Sequence, residues 1–297
     1  MYLAVNEAVS RNLNIFGMYF AKMFLTCSET TGLNLKNYHM KKLLILFAVC
    51  SMAISSVFAQ DNTYYTDDQA SITVKAQEAP PALPTYTQPP CPGDGYFWTP
   101  GYWAWGAGGY YWVPGVWVMP PTVGFLWTPG YWGFYGGFYG WHSGYWGSHI
   151  GYYGGVNYGF GYYGNGFYGG RWEGGHFMYN TAVWRVGGGV HNTYVSRPNV
   201  NMNVNVRASF NGPGGVRYRP SGGELEATRE NHTEITREQV GHEQGMAKES
   251  GQFAHANNGR PAVHSMSAPG GQRFNAGGHA IRSGGGGGGG HAGGGRR

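Results

Sequence analysis

Trp98-Thr99-Pro100-Gly101-Tyr102-Trp103 is the hexad on which the reading of this chain turns. The pattern W-x-P-G-x-W returns at Trp112, Pro114, Gly115 and Trp117, and again at Trp127, Pro129, Gly130 and Trp132. A fourth copy, Trp141-His142-Ser143-Gly144-Tyr145-Trp146, keeps its glycine and both tryptophans but has lost the proline. Between copies one and two lies Gly106-Ala107-Gly108-Gly109, a reversal signal. Between copies three and four lies Phe134-Tyr135-Gly136-Gly137-Phe138-Tyr139, and Gly-Gly suits a two-residue type I′ hairpin turn. Folding the chain back at these points sets Trp103 across from Trp112, Trp98 from Trp117, Trp132 from Trp141 and Trp127 from Trp146. Such cross-strand aromatic pairs add roughly 0.2 to 1 kcal/mol each to a sheet. The expectation is two long hairpins joined through residues 118–126. On a straight strand Trp98 and Trp103 would face opposite sides, so Pro-Gly must act as a kink or bulge, which also suits proline's missing ladder donor. A rival reading makes each Thr-Pro-Gly-Tyr its own turn, with Trp98 opposite Trp103. Pro-Gly favours type II there, whose twist matches a hairpin poorly.

Laid out this way, the hexads resemble the YXWGXW (WXXGXW) repeat-containing proteins, a family of small exported bacterial proteins. The resemblance covers residues 98–146. The Gly-aromatic block that follows, and the run Gln252-Phe253-Ala254 through Asn258-Gly259-Arg260-Pro261, are also similar to such proteins. The resemblance implies an envelope or periplasmic location and brings no established activity.

Composition points the same way. Among 297 residues there are 54 glycines, aromatics make up 16% and charged residues 12%, where about 25% is typical. The apolar surface therefore sits on Tyr, Trp and Phe rather than on Leu, Ile and Val. Met40 is followed by Lys41 and Lys42, an apolar run over residues 43–54, and Ser55-Ser56-Val57-Phe58-Ala59. That order predicts a signal helix cleaved after Ala59, and the run falls short of the roughly 20 apolar residues of a bilayer span. Residues 1–39 have no such order and read as a mis-assigned leader. Cys27 and Cys50 fall before the cleavage point, which leaves Cys91 alone, so no intramolecular disulfide is expected; it is either a bystander thiol or a link to a second copy. Arg11, Lys22, Lys36, Lys41 and Lys42 against Glu7 and Glu29 account for +3 of the formal +5. The remaining +2 is too little to argue for a polyanion partner.

The chain divides as follows: leader 1–39, signal peptide 40–59, proline-rich linker 60–95 with a short strand near Ala70 to Ala76, and a Trp/Gly/Tyr-rich β repeat domain over 96–210. Last comes a low-complexity tail, 211–297, with a surface helix over 224–250 and a disordered glycine end. Asn199 to Val206 alternates like a half-buried strand. The fold class expected is mainly β, with short antiparallel hairpins, an N-terminal signal helix and a long disordered C-terminal region.

Residues 96–170 contain no Asp, Glu, Lys or Arg. Neither a nucleophile triad nor a two-carboxylate pair forms inside such a block, so no enzyme is expected and no catalytic residue is assigned. Gly159-Phe160-Gly161-Tyr162-Tyr163-Gly164 matches G-x-G-x-x-G, but lacks the strand, helix and acidic residue of a dinucleotide site, and no cofactor is assigned. His142, His149, His176 and His191 have no metal-ligand spacing, so no metal is assigned. The tryptophan pairs are read as core, and Tyr135, Tyr139, Tyr153 and Tyr163 as exposed rings for ligand contact. The function expected is an exported envelope protein of structural or interaction type. The alternative is a carbohydrate-binding module for peptidoglycan or exopolysaccharide, and a third reading is peripheral outer-membrane association. Partners are cell-wall or extracellular polysaccharide or envelope proteins; export and the absence of a basic patch argue against nucleic acid.

Overall fold

The computed structural model describes residues 71–200 and 207–281. The signal peptide, the leader, the glycine end and all but the first two residues of the alternating 199–206 stretch lie outside the described residues. The architecture is mainly β, made of short antiparallel hairpins with few helices.

Both long hairpins form in the expected register. The first has arms β2 (Phe97–Thr99) plus β3 (Tyr102–Gly106) and β4 (Gly109–Val113) plus β5 (Gly115–Val118). Trp98 faces Trp117 and Trp103 faces Trp112. The second has arms β6 (Leu126–Thr128) plus β7 (Tyr131–Phe134) and β8 (Tyr139–His142) plus β9 (Tyr145–Gly147), with Trp127 across from Trp146 and Trp132 from Trp141. The second reversal runs through Gly136 (φ 63°) and Gly137 (φ 135°), the positive angles a primed turn demands. The arms break at Pro100-Gly101, at Pro114 and at Pro129-Gly130, and the fourth breaks at Ser143-Gly144 although no proline is there.

Further strands flank the hairpins. β1 (Ile72–Ala76) pairs antiparallel with β8, and β15 (Phe210–Asn211) runs parallel to β7, giving the order β1-β8-β7-β15. β16 (Ser265–Met266) runs parallel to β5 and antiparallel to β17 (Arg273–Phe274), giving β17-β16-β5-β2. After the second hairpin the chain makes β10 (Asn157–Gly159) with β11 (Tyr162–Tyr163), and β12 (Gly170–Glu173) with β13 (His176–Asn180) and β14 (Thr193–Tyr194).

Two expectations need correction. The proline-rich stretch is not a loose linker over its described part. Its amides bond across the fold, Leu83 to the Arg207 carbonyl and Cys91 to that of Arg185, both at 2.8 Å. Proline-rich backbone has carbonyls to spare, and these accept the indole N–H of Trp103 at Ala82 and of Trp117 at Pro89. The C-terminal region is not disordered as far as Ile281. In place of one helix over 224–250 there are two, α1 (Gly222–Arg229) and α2 (Arg237–Met246). Each starts at a capping box, Ser221 with Glu224 and Thr236 with Gln239. Between them Thr233 and Trp146 exchange two backbone hydrogen bonds of 2.8 Å, so the extended link is part of the sheet.

Candidate functional site

The repeat tryptophans are buried. Trp98, Trp112, Trp117 and Trp146 have no exposed surface, and Trp103, Trp127 and Trp132 are at most 5% exposed; Trp141 is half-buried. The four facing pairs have nearly the same geometry, with ring centroids 5.2, 5.3, 5.3 and 5.4 Å apart and planes crossing at 50–67°. The rings meet edge-to-face in the first hairpin and tilted in the second, and both avoid the unfavourable face-to-face sandwich of aromatic quadrupoles. Indole N–H groups donate to carbonyls or amides held elsewhere in the chain: Trp112 to His264, Trp132 to Trp103, Trp146 to the Gln239 side chain.

The glycines explain the rest of the hexad. A Cβ at Gly101 would lie 2.3 Å from a Trp112 ring carbon, and one at Gly115 would lie 2.5 Å from Trp98. In the second hairpin Gly130 meets Trp141 and Gly144 meets Trp127, each at 2.5 Å. Each copy's glycine thus seats the first tryptophan of its partner copy. Because Gly144 does this without a preceding proline, close approach is the requirement and proline is the dispensable part. Phenols from other segments satisfy the backbone exposed at the kinks: Gly101 N–H donates to the Tyr86 hydroxyl, and Tyr158 donates to the Gly130 carbonyl.

The four tyrosines expected to be exposed are not. Tyr153 has no exposed surface and donates to the Gly166 carbonyl, and Tyr135 is 8% exposed, against His142. Tyr139 and Tyr163 are half-buried, packed on Phe210 and Tyr168. The glycines beside these rings leave room that other segments fill. His142 is itself buried, stacked on Tyr131 and hydrogen-bonded to Ser71. Cys91 is buried and free, and desolvation pushes its thiol up to about 11, which disfavours the thiolate that a link to a second copy would need.

Sequence reasoning missed the polar side chains that the C-terminal segment lends to the uncharged block. Glu243 of α2 accepts from the Tyr102 hydroxyl at 2.7 Å and from Tyr111 at 3.4 Å. Burial, then this carboxylate, hold the Tyr102 phenol far above its usual range. His242 donates to the Pro114 carbonyl at 2.8 Å, and desolvation keeps its imidazole below the usual range. Gln252 bonds the Trp112 carbonyl and clasps Val263 through both N–H and carbonyl. The capping boxes were the available signal for these helices.

One cleft opens outward, about 470 Å³, where Phe97 and Val118 end the first hairpin. Tyr96, Trp117, Met119, Glu238, Gly241 and Pro269 line it. Met119 is 49% exposed and Val123, on the loop to the second hairpin, 67%. Among the described residues no three metal-binding side chains come together, and no helix is long and apolar enough to cross a membrane. Arg171 and Glu173 form an exposed ion pair at 3.1 Å.

Residues 93–118, the whole first hairpin, match the model of the WXXGXW repeat in two copies. That match is to the repeat motif itself and spans the first hairpin alone. No curated protein and no solved structure matches it. The matched motif has a structural meaning here: W and G are the two halves of one reciprocal contact.

Proposed function

We infer that this protein is an exported component of the cell envelope that acts by contact, as a structural or interaction protein, and catalyses no reaction. The observation that carries the reading is the use of the repeat: its tryptophans are spent inside the fold, paired and largely hydrogen-bonded, so the hexads build a platform rather than a ligand face. What the platform presents outward is the cleft at Tyr96 and Glu238 with the apolar loop of Met119 and Val123. Export rests on the basic, apolar, small-residue order from Met40 to Ala59.

The test combines fractionation with contact mapping. The mature protein is expected in the envelope fraction beginning at Gln60, and in-cell cross-linking from position 123 should capture an envelope partner. A Met119→Ser, Val123→Ser variant of unchanged melting temperature should lose it. Recovery from the cytosol, or an unchanged capture pattern, overturns the reading. A carbohydrate ligand is the second reading, favoured by Tyr96 and Glu238 lining one cleft, an aromatic ring with a carboxylate. Trp117 lines the same cleft and would report binding by its fluorescence. No retention on purified cell-wall material and no emission change with glycans removes this reading.

A further inference from the structure

We propose that Tyr152 and Tyr218 form an oxidative cross-linking site, at which a heme peroxidase with hydrogen peroxide joins the two rings by a carbon–carbon bond. The rings lie 6.1 Å apart with planes only 22° from parallel, and the Tyr152 hydroxyl donates to the Tyr218 carbonyl at 2.9 Å, which holds them together. Both are half-buried. The Tyr218 hydroxyl donates to Glu224 Oε2 at 2.9 Å. Glu224 is 7% exposed, and its Oε1 is buried without a hydrogen-bond partner. A phenol gives up an electron readily only when its proton has somewhere to go, and this carboxylate is a base already in contact with an unfilled oxygen.

The step balances. Each tyrosine gives one electron to the peroxidase; the Tyr218 proton passes to Glu224, and the Tyr152 proton leaves its hydrogen bond to the Tyr218 carbonyl for solvent. The two radicals couple at the ring carbons ortho to oxygen, and the hydrogens displaced from those carbons restore both phenols. Two tyrosines have then lost two hydrogens, and one peroxide has become two waters. The bond would tie residues 66 apart, fixing the C-terminal segment to the repeat domain. Cys91, buried and alone among the described residues, offers no disulfide for that purpose. Tyr163 and Tyr168 are an internal comparison, 6.0 Å apart with no carboxylate among the described residues hydrogen-bonded to either phenol. Tyr102 and Tyr111 share the Glu243 carboxylate, but their rings pack on other partners, Tyr102 on Trp141 and Tyr111 on Phe253.

The experiment treats the full chain, dilute, with heme peroxidase and hydrogen peroxide, and maps dityrosine by blue fluorescence and by peptides two hydrogens light. The linked 152–218 peptide is expected in the monomer, with a raised melting temperature. Tyr218→Phe and Tyr152→Phe should each abolish it, and Tyr163→Phe should leave it. Glu224→Gln keeps the helix capping box yet removes the base, and should slow linkage by about tenfold. Linkage only between molecules, linkage at Tyr163–Tyr168 in its place, or an undiminished rate in Glu224→Gln overturns the proposal.

Discussion

Replacing Gly101 by alanine puts a methyl where the fold has no room. Its Cβ would lie 2.3 Å from Trp112 Cζ2 and 2.9 Å from the Gly115 nitrogen, while ordinary contact starts at 3.4 Å. The methyl thus arrives about 1 Å too close to a ring that cannot step aside. Trp112 is fully buried, packed on Trp103 and hydrogen-bonded to the His264 carbonyl. Gly115 belongs to a strand held between β2 and β16. Overpacking of a well-filled core costs about 1–3 kcal/mol, and two immobile neighbours place this site at the upper end. Gly241 supplies the control: it lies in the exposed face of α2 with nothing within 4 Å of an added Cβ. There alanine should gain about 0.8–1 kcal/mol from helix propensity alone. Urea denaturation followed by tryptophan emission measures both. If Gly101→Ala falls within about 0.5 kcal/mol of the parent, the range of an ordinary surface change, the reciprocal seating of glycine and tryptophan is not what the hexad is for.

Other outcomes follow from single contacts. Trp117→Phe leaves the Pro89 carbonyl without its donor, whereas the buried Trp98 N–H has no partner to lose. Trp117→Phe should therefore cost about 1–3 kcal/mol more than Trp98→Phe in the same denaturation assay. The Cys91 thiol should resist a thiol-exchange reagent at mildly alkaline pH until denaturant is added; rapid labelling of folded protein would contradict its burial. His242 and His264 both titrate below 6.5 in the fold, so the unfolded chain binds more protons as pH falls. Their contribution is fully present above about pH 6.5 and is lost as pH drops from there through their folded values. His242→Gln should flatten that slope in a series of melting curves, and an unchanged slope would exclude it as a cause.

The hairpins were legible because their information is local and redundant: four hexads, two glycine reversals, and a turn chemistry that favours the long-hairpin register over turns at each Pro-Gly. That the glycine outlasts the proline was also on view in the fourth copy, which keeps Gly144, but the partner ring seated against it was not. The C-terminal segment was not legible by apolar content, because polar side chains hold it. Gln239, His242, Glu243 and Gln252 look like a solvated helix until Trp146, Pro114, Tyr102 and Trp112 are placed opposite them. Tyr135 and Tyr153 failed for the converse reason. Glycine beside an aromatic ring marks space without saying whether solvent or another segment fills it.

The seating of each glycine against the partner's ring has a consequence for how such a chain can lengthen or shorten. One hexad by itself holds a ring with no seat and a seat with no ring, so the smallest addition that leaves nothing unmatched is a pair. The matched residues 93–118 are one such pair, and the second hairpin is another. Removing a single hexad should be more damaging than removing a whole hairpin's two, and viable length variants should carry their copies in even numbers.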